Sequence, residues 1–477
     1  MSLHIEKTDI LIIGTGLAAV ATALHLSKSF SILLVSKGEM TENNSDLAQG
    51  GIASAYLEKS STAHKEDTML ASKNTSCAER VDILVEEGRQ AIEEMERFGV
   101  RFDREEGGYA LGREGAHRLN RIFHVGGDET GRHVMRQLRQ SMPDNVNVLE
   151  RVLVHDLITK DGKVVGAMAF RDEVPIRIEA GAVILAAAGI GGLIDWTSNA
   201  RTVTGDGLVL ANRCGAKLTH LQRIQFYPTL LATETPHLVT EALRGAGATL
   251  VDDEGNHVMA HHTLGSLAPR DDVARVLTER MGTVYLDTTN VTRLRERFPK
   301  LALTCDKLRI DPRRIPVRPG LHFHMGGIEV DDMGRTGVDG LYAVGEVADA
   351  GIHGTNRLAS NSLLECWVFG KRVARAVRLN QTATAMKETL VYDISPLAFQ
   401  AFRAQIGRWL TISPSLDELK GFLQNTQTLT MTKHVTRQLS EQTLQLDAAR
   451  LLAQSILEME RYDEHDIPTR TATSVLD

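Results

Sequence analysis

Four cysteines in 477 residues, Cys77, Cys214, Cys305 and Cys366, stand far apart with neither CxxC spacing nor companion histidines. That scarcity excludes a structural zinc site or an iron–sulfur cluster, which need several thiolates at short fixed spacings, and no metal is expected. Reduced thiols of the cytoplasm are the simpler reading. No stretch reaches the ~18 consecutive apolar residues of a membrane span. The apolar run 11–26 is interrupted by Gly14 and Gly16, follows Asp9 and ends at no small-residue cleavage site, so a secretory signal is not read there. Lys and Arg number 54 against 61 Asp and Glu, a net charge of −7 without any dense basic block, which excludes a nucleic-acid partner. Arg313, Arg314 and Arg318 read as a solvated loop. Internal repeats and low-complexity tracts are also absent. A globular chain remains, 42% hydrophobic and 24% charged, long enough for two or three domains.

Short apolar strands are predicted at 9–13, 31–35, 152–158, 164–170 and 182–187, interleaved with helical patterns at 78–98 and 131–141, the alternation of an α/β fold. Thr204, Gly205, Asp206 and Gly207 open a further helix over 208–214. Beyond 387 the pattern turns helical: Ser415 to Glu418 forms a capping box, and 439–462 carries apolar residues at helical spacing. The polar tail 468–477 reads as frayed.

Behind strand 9–13, Gly14, Thr15, Gly16, Leu17, Ala18 and Ala19 form a turn in which two glycines let backbone N–H groups approach a pyrophosphate at a helix N-terminus. The next strand ends in Ser36 and Lys37 rather than in an acidic ribose ligand, which weakens a nicotinamide reading. Alone, such a turn is compatible with no ligand at all. A second segment more than three hundred residues away, from Gly340 through Gly345 and Glu346 to Arg357, Ser360, Asn361, Ser362 and Leu363, narrows the ligand to FAD. Between them, Asn44, Ser45, Asp46, Leu47, Ala48, Gln49, Gly50 and Gly51 supply small residues and paired glycines on which a ring system can lie flat.

These segments, with 128–132, 204–207, 240–245, 267–271 and His322 ahead of Gly326 and Gly327, resemble the succinate dehydrogenase/fumarate reductase flavoprotein family from 9 to about 372, and within it the L-aspartate oxidases. The resemblance implies a Rossmann-like, doubly wound FAD-binding domain in two parts (1–220 and 325–387), an inserted α+β capping domain (221–324) and a C-terminal helical domain (388–477). Relatives that tether FAD covalently carry histidine four residues before an Ala-Gln-Gly-Gly run, and Asn44 at that position implies non-covalent FAD. The cofactor set it implies is Gly14 to Ala18, Lys37, Asn44 to Gly51, Asp206, Glu346, Ser362 and Leu363. Glu346 would hold the FAD ribose. Ser360, Asn361 and Ser362 would cap a helix whose N-terminus faces the flavin.

The same resemblance puts Arg270 opposite the flavin as the group that handles the proton, with Asp271 orienting it. An arginine, with a pKa above ~12, needs a closed site for that role. Arg357 would clamp one substrate carboxylate, His322 would donate to it, Thr240 would serve the other end, and Tyr227 and Ser360 would complete the site. Glu114, in the run 112–117 followed by Arg121 and His124, matches the aspartate oxidases and departs from the succinate and fumarate enzymes. It would repel a dianion but pair with an α-ammonium. The activity implied is FAD-dependent oxidation of L-aspartate to iminoaspartate with dioxygen or fumarate as acceptor, the first step of NAD biosynthesis, with hand-over to quinolinate synthase. Three departures stand out: Tyr227 replaces the histidine of a Gln-Phe-His-Pro motif, Ala246 replaces a glutamate, and a Glu-Ser-Arg-Gly segment is not found. A succinate dehydrogenase or fumarate reductase type flavoprotein, or a catalytically decayed flavin-binding protein, stays open at this point.

Overall fold

The computed structural model describes residues 4–56, 60–381 and 389–465. Its organising element is strand His4–Ile13, whose residues alternate between two cores because successive strand side chains point to opposite faces. Ile10 and Ile12 join Leu17 and Val20 of helix Leu17–His25 and Leu364, Trp367 and Val368 of helix Asn361–Ala376. Leu11 and Ile13 join Trp409, Phe422, Leu444 and Leu452 from the C-terminal helices. Both faces of the sheet are thus covered by helices, the doubly wound arrangement in which strands buried on two sides read as continuous apolar runs.

The sheet has seven strands. In spatial order Val146–Leu149, Ile32–Val35, His4–Ile13 and Val174–Leu185 are parallel, with Leu341–Ala343 also parallel on Val174–Leu185. Lys163–Arg171 and Val152–Lys160 then continue antiparallel. The strand expected at 182–187 starts earlier, at Val174, because its antiparallel neighbour extends the ladder. The helical pattern 78–98 is two helices, Ala78–Gly88 and Ala91–Arg97. Ser54 Oγ donates to the Gly88 carbonyl at 2.9 Å, and a Cβ at Gly88 would lie 2.8 Å from Leu364. The chain breaks where its carbonyl is captured from outside the helix.

Residues from Ile224 to His324 form a second layer with its own core, including Leu231, Leu243, Leu250, Val273 and Leu286. Its antiparallel sheet runs Ile224–Leu231, Arg314–His324, Val284–Asp287, Thr249–Val251. Arg314 and Arg318, expected in a solvated loop, lie on a strand with guanidiniums 4.2 Å over the Tyr285 ring and 4.0 Å over the Trp196 ring. Helix Arg270–Glu279 packs on this sheet, started by Pro269 at its N-cap with Asp271 and Asp272 in its first turn.

Three helices follow: Pro396–Trp409, Leu416–Gln427 and Arg437–His465, the first two capped by the side chains of Ser395 and Ser415. Arg437 donates to the backbone carbonyls of Lys37, Arg151, Phe170 and Asp172, fastening the last helix to the sheet edge. The tail expected to fray lies outside the described residues. Among those described, no helix is long and apolar enough to cross a membrane, and no cluster of His, Cys, Asp and Glu could hold a metal ion.

Candidate active site

One cleft, about 1600 Å³ including its open mouth, runs from the Gly14 turn to the underside of the second layer. Its extent, from a glycine turn at one end to charged side chains at the other, leaves room for an extended dinucleotide. At one end Gly14 has φ +124°, and a Cβ there would lie 2.1 Å from the Ala186 carbonyl oxygen, so only glycine makes the turn. Helix Leu17–His25 begins at Gly16 with no side-chain cap, and Ser45 Oγ accepts from the Leu17 N–H at 2.9 Å. The uncapped N–H groups, the small residues beside them and the open groove fit a diphosphate.

Gly14, Thr15, Gly16, Leu17, Ala18, Lys37, Asn44, Ser45, Leu47, Ala48, Gln49, Gly50, Gly51, Asp206, Glu346, Ser362 and Leu363 all line this cleft. Asp46 does not. Its buried carboxylate is taken by Arg139 and by Asn43 Nδ2 at 2.7 Å, so it shapes the segment from behind. Lys37 reaches Thr204 Oγ1 at 2.6 Å and Asp206 Oδ2 at 2.8 Å. Asn44 donates to Asn199 Oδ1 at 2.7 Å and to Glu346 Oε2 at 3.3 Å. Burial pushes the Glu346 carboxyl up to about 7, against the His324 N–H that donates to it at 3.0 Å.

The other end is a chamber formed by Glu114, Tyr227, Thr240, Glu241, Arg270, His322, Arg357 and Ser360. Asp271, expected to orient Arg270, faces away from it. Glu241 takes that place: Arg270 Nε donates to Glu241 Oε2 at 2.7 Å, and Arg244 holds the other carboxylate oxygen. Burial alone would raise the Glu241 carboxyl, but Arg270 and Arg244 outweigh it and hold it below the usual range. Its signal was present as an acid three residues before Arg244, beside Thr240.

Ser360, expected as a helix cap, has left-handed backbone at φ 61° and makes no side-chain cap. Its hydroxyl donates instead to Glu114 Oε2 at 2.5 Å and accepts from the Gly51 N–H at 3.2 Å. Burial, then the charge of Glu241, pushes the Glu114 carboxyl up, with Arg270, Ser360 and Arg357 opposing. Tyr227 contributes its ring, 4.9 Å from His322 and 5.1 Å from the Arg270 guanidinium, while its hydroxyl donates to the Val239 carbonyl at 3.0 Å and is not offered to the chamber.

His322 also differs from expectation. Arg357 Nη2 lies 3.0 Å from His322 Nε2, and an arginine only donates, so Nε2 accepts. The ring, held neutral by burial and then by Arg270 and Arg357, therefore carries its proton on Nδ1, 2.7 Å from Ser198 Oγ. Arg357 itself is drawn down to about 9 by burial and the charge of Arg270. Two guanidiniums in one desolvated chamber favour an anionic guest.

A family model described as FAD binding domain matches residues 9–363. The L-aspartate oxidase of Bacillus subtilis is 41% identical over 423 residues, 85% of this chain and 80% of that protein. The L-aspartate oxidase of Agrobacterium fabrum is 38% identical over 420 residues, 84% and 80% of the two. The chain belongs to the L-aspartate oxidase family. A variant of E. coli quinol fumarate reductase shares the architecture at 26% identity and a TM-score of 0.82, over 95% of this chain and 89% of that one. As an L-aspartate oxidase family member the chain takes FAD.

Proposed function

We propose that the chain oxidises L-aspartate to iminoaspartate, passing electrons to fumarate or dioxygen, as the first step of NAD biosynthesis. The observation that carries this reading is a carboxylate, Glu114, in the same chamber as Arg270 and Arg357. A substrate with two carboxylates and an ammonium satisfies all three charges, whereas succinate leaves Glu114 facing an anion. Bound FAD supplies the two-electron acceptance.

In this proposal Arg357 and Thr240 hold the carboxylates, Glu114 orients the ammonium and Arg270 handles the proton lost on oxidation. A hydrogen-bonded pair supports that last role: Arg270, already a cation, takes the substrate proton as it gives its own to Glu241, which also accepts from Arg244, while the Ser266 carbonyl anchors Arg244 Nη1 at 2.7 Å. Residues 221–324 act as the cap, 1–220 and 325–387 as the FAD-binding domain and 388–477 as the helical domain. Because iminoaspartate hydrolyses readily, hand-over to quinolinate synthase follows. Four free cysteines favour the reducing cytoplasm.

Anaerobic titration of the yellow protein tests the reading: aspartate is expected to bleach the flavin and succinate to leave it oxidised. Bleaching by succinate alone points to the dehydrogenase alternative, and by neither to a decayed site. A smaller change probes the Glu114 seat. A Cβ at Gly50 would lie 2.7 Å from Glu114 Oε1 and 3.4 Å from Ser360 Oγ. Gly50→Ala is expected to raise KM for aspartate about tenfold, the scale of a displaced contact, with fumarate KM changed less. Parallel shifts in both would argue against it.

A further inference from the structure

Asp271 follows Arg270 in the chain, yet its carboxylate leaves the chamber and crosses to another part of the molecule. Lys73 Nζ lies 2.5 Å from Asp271 Oδ2, and Asn356 Nδ2 donates to Oδ1 at 3.1 Å. Asn356 is only 4% exposed, and both of its side-chain polar atoms are occupied. Nδ2 also donates to the Ala71 carbonyl at 3.0 Å, and Oδ1 accepts from Gln225 Nε2 at 2.7 Å. Gln225, 3% exposed, also donates from Nε2 to the Arg357 carbonyl at 3.0 Å and accepts from Arg270 Nη1 on Oε1 at 3.2 Å.

The orientation of both amides follows from the arginine. Arg270 is a donor only, so the Gln225 oxygen must face it. The Gln225 nitrogen then faces Asn356, whose oxygen must receive it, leaving the Asn356 nitrogen for Ala71 and Asp271. No other assignment pairs every group. The result is a closed ring, Arg270 to Gln225 to Asn356 to Asp271 and back along the chain to Arg270, with Arg357 attached at its backbone. Gln225, Arg270 and Asp271 come from the layer over the cleft, and Lys73, Asn356 and Arg357 from the part beneath it.

Arg270 and Arg357 are like charges in a desolvated chamber, where mutual repulsion is weakly screened, and burial first and then Arg270 lower the Arg357 guanidinium against the carboxylates of Glu346, Glu114 and Glu241. Glu241 pairs with Arg270 and offsets part of that repulsion, but it does not fix where helix Arg270–Glu279 sits relative to Arg357. We infer that Asn356 and Asp271 are positioning residues whose hydrogen-bonded ring seats helix Arg270–Glu279 on the segment bearing Arg357 and sets the spacing of the two guanidiniums. The inference rests on the reading that these arginines hold a dicarboxylate. Lys73, with its side chain 53% exposed, pairs with the ring's Asp271 at the solvent edge, so that corner is open to salt while the Gln225–Asn356 interior is not.

The test uses the full-length FAD-loaded protein, mixed anaerobically with L-aspartate to read the limiting rate of flavin reduction and the apparent Kd. Asn356→Ala and Asp271→Ala are each expected to lower the limiting rate at least about tenfold while Kd moves less than about threefold, because misplacement harms the reacting geometry more than capture. Asp271→Asn, which keeps the acceptor for Asn356, restores part of the loss. The double variant is expected to be no slower than the slower single, since both break one ring. Lys73→Met, at a half-exposed position, should slow the limiting rate and abolish its dependence on salt. Limiting rates within about twofold of the parent, or losses that multiply in the double variant, overturn the inference.

Hydrogen exchange supplies a readout that needs no turnover. Amides of 270–279 and 352–357 are expected to exchange faster together in Asp271→Ala and Asn356→Ala, and unchanged exchange there overturns the inference whatever the activity. A parent flavin that aspartate fails to bleach defeats the proposed function instead, and the exchange result still judges the ring.

Discussion

Arg270→Leu is expected to slow flavin reduction by aspartate about 10³-fold, within the range a positioned proton-transfer group supplies, while FAD remains bound. Arg270 lies in the chamber, far along the cleft from the Gly14 turn, and touches Glu241, Gln225 and the Tyr227 ring. Burial would lower its guanidinium pKa, but Glu241, Tyr227 and Glu114 outweigh that and raise it, so it stays a cation. Removing it leaves Glu241 paired by Arg244 alone and takes a positive charge from the side of the substrate. Losing one partner of a buried pair also costs about 3–5 kcal/mol locally, so FAD content and thermal midpoint need measuring beside the rate. Arg270→Lys keeps the charge but not the fork that binds Glu241 and Gln225 together, and is expected to fall between the two. A leucine variant reduced by aspartate at near-parental rates would remove Arg270 from the chemistry.

Glu114→Gln should lower kcat/KM for aspartate by about 10²-fold, corresponding to the 2–5 kcal/mol of a broken, desolvated charge pair, and leave fumarate reduction equal or faster. Fumarate brings no ammonium, so the glutamate opposes it. Equal losses for the two substrates would contradict the selecting role.

The pH dependence carries the same sign. Burial and Glu241 raise the Glu114 carboxyl pKa, so in the ligand-free protein this group favours the folded state below the ordinary carboxylate pKa, and that contribution is lost as pH rises through the raised value. Aspartate needs the ionised form. Its kcat/KM relative to that of fumarate is therefore expected to fall as pH is lowered through the raised Glu114 value, and Glu114→Gln should flatten that ratio. A parent ratio independent of pH would show that Glu114 does not titrate against the substrate.

Local rules carried much of the architecture. The glycine turn, the apolar strands and the Ser415 cap are short-range effects, and each appears where the residue pattern puts it, although the strands expected from 9 and from 182 start earlier, at His4 and Val174. The misplacements share one cause. Arg270 and Asp271 are consecutive in a helix, so their side chains diverge by roughly 100°, and both cannot enter one chamber. The acid for Arg270 had to come from another element, and Glu241 supplies it. Ser360 reads locally as a cap, yet its left-handed backbone turns its hydroxyl to Glu114. Tyr227 is expected to complete the site, but its hydroxyl donates to the Val239 carbonyl.

By itself the order of residues determined the doubly wound sheet, the cofactor class and the family, because those depend on backbone permissiveness and on apolar period over a few neighbours. Only the tertiary structure decided which carboxylate meets which cation and where each proton sits. Arg270 and Glu241 are 29 positions apart, Ser360 and Glu114 are 246. At such separations no local propensity couples two side chains, and burial away from water makes their pairing obligatory once folding has brought them together.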